Sequence, residues 1–215
     1  MSKEKIHTVY KTNDGQRVPS VTTALGILAK NALIDWAWKC GVDGLDYKVV
    51  RDSAADVGTL AHYMILCHLR NEKPDTSEYS AKDIDLAENC LLSYFEWQKH
   101  HTMESIFVET PLVSETLRYG GTIDWYGKLD GEPTLIDHKT GKAIYGEFFY
   151  QLAAYKHLLQ ENGYPCNSVR ILRIGKSEDE GFEERVITST TNQFELFKHC
   201  LVIYELQKII KREEK

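Results

Sequence analysis

Hydrophobic positions change their period near residue 101, from helical spacing to strand-like alternation. Over residues 52–69, Val57, Leu60, Ala61, Met64, Ile65 and His68 recur every three or four positions, as on a helix with one buried face. Ile84, Ala87, Leu91, Tyr94 and Phe95 repeat that spacing across 80–100, after a polar loop at 71–79. Upstream, residues 6–18 read as a short hairpin around Asn13-Asp14-Gly15. Ser20, after Pro19, reads as an N-cap, and helical patterns carrying Trp36 and Trp38 continue to about residue 51. Beyond His101 the chain predicts strands at 105–113, 119–129 and 133–140, then a helix at 146–161. Strands at 168–175 and 182–188 follow around an acidic loop, and a helix over 191–212 ends the pattern. That order predicts an α/β sandwich, a central mixed sheet flanked by helices with an N-terminal helical extension. Repeats, low-complexity tracts and linkers are missing from the pattern, so residues 1–215 read as a single domain. Residues 1–103 would be its mainly helical part and 104–215 its αβ core.

Composition narrows the class without naming it. Of the 215 residues, 42% are hydrophobic and 27% charged, which suits a folded domain rather than a disordered one. No apolar run has the length of a membrane span and the first twenty residues lack a signal-peptide core, so a cytoplasmic protein with no membrane partner is expected. Cys40, Cys67, Cys90, Cys166 and Cys200 are scattered and lack a CxxC pair, which points to reduced core thiols. Cys67-His68 and His199-Cys200 are chain neighbours that point apart on a helix, so they read as core cysteines beside surface histidines rather than zinc ligands. A net charge of −6 argues against a protein that coats nucleic acid, though not against one that grips a strand along a local track.

The stretch from Tyr119 to Thr140 carries the chemistry. Asp130-Gly131 is favoured in a two-residue hairpin turn. Pairing Leu129 with Glu132 across that turn sets Asp124 opposite Asp137, and Lys139, two residues on, shares their face. Two carboxylates about 5 Å apart repel by roughly 3 kcal/mol at an effective dielectric near 20, so an offsetting cation is expected. Asp46-Tyr-Lys48 and Glu213-Glu-Lys215 repeat the D/E-x-K spacing and read as incidental surface pairs. Gly141-Lys142 lacks the flanking residues of a phosphate-binding loop, so it is set aside. Gln151 and Tyr155 share one helical face just after the D-x-K strand. Gly58, one turn before His62, would allow its helix a close approach to another segment. Taken alone, His62 reads as a structural histidine and Glu109 as an exposed strand glutamate.

Together these residues resemble the RecB-like branch of the PD-(D/E)xK nucleases, which includes CRISPR-associated RecB-like nucleases, phage exonucleases and the mitochondrial genome maintenance exonuclease. The pattern is Gly58-Thr-Leu-Ala-His62, Gly121-Thr-Ile-Asp124, Asp137-His-Lys139-Thr140 and Gln151-Leu-Ala-Ala-Tyr155. Pro19-Ser-Val-Thr-Thr23 is similar to the opening of phage and mitochondrial members. The likeness spans residues 19–160. It implies a restriction-endonuclease-like core and Mg²⁺ or Mn²⁺, one or two ions, held by His62, Asp124, Asp137 and the backbone carbonyl of His138. Lys139 would be the catalytic lysine, with Gln151 and Tyr155 shaping the site and Glu109 acting behind the ligands. The cysteine spacing of the iron–sulfur relatives is missing, so no cluster is expected. Ser20, Thr22, Trp36, Trp38, Lys128, Lys142 and Lys156 are candidate DNA contacts, the tryptophans by stacking, though most aromatics read as core.

The implied activity is a DNA exonuclease acting from ends of single strands, in phage or bacterial recombination, repair or replication. It would leave 5′-phosphate and 3′-hydroxyl ends, with a recombinase or single-strand-binding protein as a companion. An endonuclease of the same fold and a non-catalytic DNA-binding module remain as alternatives.

Overall fold

The computed structural model describes residues 8–214. Strands β1 (Tyr10–Lys11) and β2 (Arg17–Val18) form the expected hairpin, with Tyr10 opposite Val18; its first two expected residues, 6 and 7, lie outside the described residues. Helix α1 (Val21–Leu25) starts at Ser20, whose Oγ accepts the Thr23 N–H, as an N-cap should. Helix α2 (Asn31–Val42) follows, then α3 (Tyr47–Arg70) and α4 (Ala81–Gln98). Helix α3 begins five residues before the expected 52, because Asp46 caps it by accepting the Lys48 N–H. The Asp46-Tyr-Lys48 triplet is exposed, as expected of an incidental surface pair, and it also marks a helix start. Asn71 ends α3 in the left-handed conformation, and Ser80 caps α4.

The second half is built on one five-stranded sheet. Strands β3 (Met103–Ser114), β4 (Tyr119–Leu129) and β5 (Glu132–Lys139) run as an antiparallel meander. Helix α5 (Gly146–Glu161) then carries the chain across to β6 (Ser168–Ile174), which lies parallel to β5. Strand β7 (Phe182–Ile187) closes the order β3-β4-β5-β6-β7, and α6 (Thr191–Glu213) follows. The acidic loop contains a single 3₁₀ turn, Glu178–Glu180. This is the mixed sheet and helical flanking that the pattern predicted.

Both faces of the sheet are covered, because β4 and β5 are apolar on both sides. One core joins Tyr126 and Leu135 to α1, α5 and α6 through Val21, Leu152, Leu158 and Phe197. The other joins Trp125, Leu129 and Ile136 to α3 and α4 through Leu60, Ile65, Cys90 and Tyr94. Complete burial of each large apolar side chain contributes about 1.5–3 kcal/mol, and β4 and β5 have such side chains on both faces. All five cysteines are free and buried. His68 departs from the expected surface position: it is half-buried, hydrogen-bonded to Gln98 at 2.7 Å and packed on Phe95.

Candidate active site

The β4–β5 turn sets the geometry. Asp130 and Gly131 have φ of 52° and 87°, the two positive values of the tight hairpin turn that Asp-Gly favours. The ladder runs from Leu129–Glu132 to Trp125–Ile136, so the next pair in register is Asp124 with Asp137. On the other side, Val108–Trp125 and Thr110–Ile123 bracket Glu109, which places Glu109 beside Asp124. Three carboxylates thus form a row across β3, β4 and β5. Glu109 has φ of 50°, a left-handed backbone inside a strand, and such a residue costs on the order of 1–3 kcal/mol unless its surroundings hold it.

Asp137 is buried. Lys139 Nζ sits 2.6 Å from its Oδ2, outside hydrogen-bonding geometry, and neither carboxylate oxygen has a hydrogen-bond partner among the described residues. Burial pushes the Asp137 carboxyl up; Lys139 opposes the shift and Asp124 adds to it. Lys139 also donates to Gln151 Oε1 at 3.2 Å, and Gln151 Nε2 donates to the Tyr155 hydroxyl at 2.9 Å. Its ammonium lies 4.9 Å from the centre of the Phe148 ring. Helix α5 therefore aims the lysine: residues one turn apart, Gln151 and Tyr155, form a relay leading to it. Burial first, then Asp137 and Asp124, raise the Tyr155 hydroxyl well above its ordinary value, so it stays protonated.

Asp124 is half-buried and gathers the other side of the site. Its Oδ2 accepts the His138 N–H at 2.9 Å and lies 3.9 Å from His62 Nδ1 and 3.8 Å from His138 Nδ1. Sequence reasoning gave His138 only a backbone role, yet its ring is buried edge-on to His62 and to Tyr94, with Nε2 unpartnered among the described residues. Burial, with His62 nearby, pulls the His138 imidazole down to about 3, so it is neutral. Glu109 is pushed up to about 7, by burial and then by Asp124, with Arg70 opposing. Between the strands and α3 lies a cleft of about 530 Å³, lined by Gly58, His62, Glu109, Asp124 and Thr140 among others.

Two motif glycines are explained by what fills their missing side chains. A Cβ on Gly121 would stand 2.4 Å from the Tyr155 ring, and one on Gly58 would stand 2.7 Å from Thr140 Oγ1. Each glycine accepts a residue from another motif, which locks α3, β4, β5 and α5 around the site. The structure thus brings together His62, Glu109, Asp124, Asp137, Lys139, Gln151 and Tyr155.

The outlying candidates are distributed differently. Ser20 is engaged in capping α1 and bonds Thr22 at 3.0 Å. Lys128 sits beside the hairpin turn, 3.4 Å from Glu104, and neither it nor Lys156 lines the cleft. Trp36 and Lys142 line a neighbouring groove. Trp38 is 71% exposed, which removes it from the expected core aromatics.

A divalent metal is tested by the donors themselves. Carboxylate oxygens with an imidazole suit Mg²⁺ or Mn²⁺, and the unpartnered Asp137 oxygen facing a second carboxylate is the kind of donor a cation would satisfy. Among the described residues, no three His, Cys, Asp or Glu side chains already converge on one point. The fit is therefore one of donor chemistry, with Lys139 sitting against Asp137.

No family model matches the chain, and no curated protein matches it. Among solved structures, a candidate exonuclease from Eubacterium rectale is similar with a TM-score of 0.50 at 12% identity, over 72% of this chain and 66% of that one. An alkaline exonuclease from Laribacter hongkongensis is similar at 11% identity with a TM-score of 0.42, over 75% and 90%. The same enzyme in complex with dAMP gives 12% and 0.42. The Eubacterium rectale likeness shows the fold, the mixed sheet flanked by helices that the order of elements led us to expect. No helix among the described residues is long and apolar enough to cross a membrane.

Proposed function

We propose that this chain is a Mg²⁺- or Mn²⁺-dependent deoxyribonuclease that removes nucleotides from the ends of single-stranded DNA. The observation that carries the reading is Asp137. A buried carboxylate with an unpartnered oxygen, facing Asp124 in register and touching one lysine, is costly to fold and has no structural return. Asp124, Asp137 and His62 would hold the cation, with the His138 carbonyl as a further oxygen. When bound, the cation supplies charge neutralisation and polarises the phosphodiester.

The protein's own residues do the positioning. Lys139, steered by Gln151 and lying over Phe148, presents a compact positive charge to a phosphoryl oxygen or the attacking water. Tyr155 stays protonated and fixes the Gln151 amide, so the lysine is held without a competing charge. Glu109 adds a third carboxylate at the cleft wall. The cleft has the volume of a small-molecule site, which suits one strand entering end-on better than a clamped duplex. Trimming of strand ends belongs to recombination, repair or replication in a phage or bacterial cell, where a recombinase or single-strand-binding protein shares the strand.

The test offers linear and circular single-stranded DNA to one preparation, with Mg²⁺, Mn²⁺ or a chelator. Linear DNA should be degraded, the circle spared and the chelated reaction silent. Lys139→Ala and Asp137→Ala should each fold and lose cleavage by at least about a hundredfold. Full activity in folded Lys139→Ala, or in chelator, would end the reading; rapid linearisation of the circle would replace the exonuclease with an endonuclease.

A further inference from the structure

A second, larger groove of about 750 Å³ lies beside the cleft, and the two share Ala54 and Thr140 as a wall. Phe148 ties the groove to the catalytic lysine, since it both lines the groove and lies under the Lys139 ammonium. The groove has a chemistry of its own. Trp36 and Tyr145 line it, each braced edge-to-face: Trp36 on Tyr47 at 6.4 Å and Tyr145 on Phe148 at 5.6 Å. Tyr145 is 43% exposed.

Charge in the groove runs against that of the molecule. Lys30, Arg51, Lys142 and Lys176 line it against Glu147 and Glu180, while the whole chain has 26 basic and 32 acidic residues. Glu147 holds Lys30 at 2.9 Å and Asp52 holds Arg51 at 2.8 Å. Lys142 has no ion-pair partner among the described residues, and Lys176 donates to the Ala54 carbonyl at 3.0 Å. Burial pulls Lys176 down, Cys90 and Glu180 oppose this, and Lys142 adds to it. An anion between Lys142 and Lys176 would offset both the cost of burying the Lys176 charge and the repulsion between the two lysines.

We infer that this groove binds the unpaired nucleotides of a DNA strand next to the phosphodiester in the cleft, with bases stacked on Trp36 and Tyr145 and phosphates against Lys142 and Lys176. The inference rests on the nuclease reading of the cleft and adds the path of the substrate. An exposed tyrosine and a half-buried tryptophan lining a groove among cations are what a single strand can use; a duplex keeps its base faces stacked inside. The groove lies against the Lys139 end of β5, so a strand lying in it reaches the catalytic residues without turning away.

Binding, measured in chelator by anisotropy, separates this from catalysis. The probes are a labelled oligothymidylate and an abasic strand of equal length. The folded wild-type chain should bind oligothymidylate about tenfold or more tightly than the abasic strand. Trp36→Ala with Tyr145→Ala should remove that difference, leaving abasic binding as it was. Lys142→Glu should weaken both strands and flatten the salt dependence of binding. Equal wild-type affinity for the two strands, or unchanged oligothymidylate affinity in the folded double variant, would overturn the groove. The two readings fail separately. Groove variants that lose binding in a protein that never cleaves would leave the groove standing without the nuclease, whereas cleavage with unaffected groove variants would leave the nuclease without the groove.

Discussion

A Cβ on Gly121 would press into the Tyr155 ring at 2.4 Å, and that ring closes the relay from Tyr155 through Gln151 to Lys139. Gly121→Ala is therefore expected to cost about 1–3 kcal/mol in denaturant unfolding, because the buried ring has nowhere to retreat. It should also lower kcat more than it raises KM, since the lysine loses its aim. Wild-type stability together with wild-type kcat would show that the ring is not held there. At this scale much of the site was legible in the sequence. The Asp-Gly turn sets the register, and counting residues back from that turn is enough to bring Asp124 to Asp137. The reason for Gly121 was hidden, because the ring that needs the space lies on α5. The His138 ring was missed for a related reason: strand alternation tells which face a residue takes, not what waits on that face.

Helix α5 is tied to the sheet at its far end by Glu161, whose Oε2 accepts from Ser114 Oγ at 2.5 Å and whose Oε1 accepts the Thr116 N–H at 2.9 Å. Burial pushes this carboxyl up, but the hydrogen bonds from Ser114 and Thr116 outweigh it and leave it below its ordinary value. A carboxyl depressed in the folded state stabilises above its unfolded value, about 4.3, and the contribution is lost as pH falls through the lower folded value. Glu161→Gln should cost about 1.5–3 kcal/mol at neutral pH, and its urea midpoint should fall less steeply than that of the wild-type chain below pH 4. Parallel acid limbs for the two proteins would exclude the tether. Strands β3 to β7 and helices α4 to α6 fall close to where the apolar spacing predicts them, whereas the helical pattern up to residue 51 divides into α1, α2 and the start of α3. The start of α3 was not readable, since Asp46 as a cap carries no hydrophobic signal and its D-x-K spacing invited a different comparison.

Over the whole molecule, an acidic chain keeps its carboxylate row inside the sheet and gathers four basic side chains at the groove. Loading a cation onto that row should raise stability by mass action, by about 2.7 kcal/mol when Mg²⁺ or Mn²⁺ stands a hundredfold above its dissociation constant. Thermal unfolding should show the increment in the wild-type chain and none in Asp137→Asn, while His62→Ala should shift the metal titration by about ten- to a hundredfold. An identical metal response in wild type and Asp137→Asn would remove the cation from this row. The α/β sandwich was legible from the order of elements alone. The groove was not, because Trp36, Lys142 and Lys176 come from separate segments that only the folded chain assembles.

Gly58 also constrains how the sequence can change over time. The space its side chain would occupy is already taken by Thr140 Oγ1, 2.7 Å away, and Thr140 is part of the wall between cleft and groove. A larger residue at 58 must displace the hydroxyl at 140, so a substitution at either position alters what is acceptable at the other. The two sites should drift as a pair: a neutral change at one is conditional on the residue at the other, and the order of substitutions decides which lineages keep a working wall.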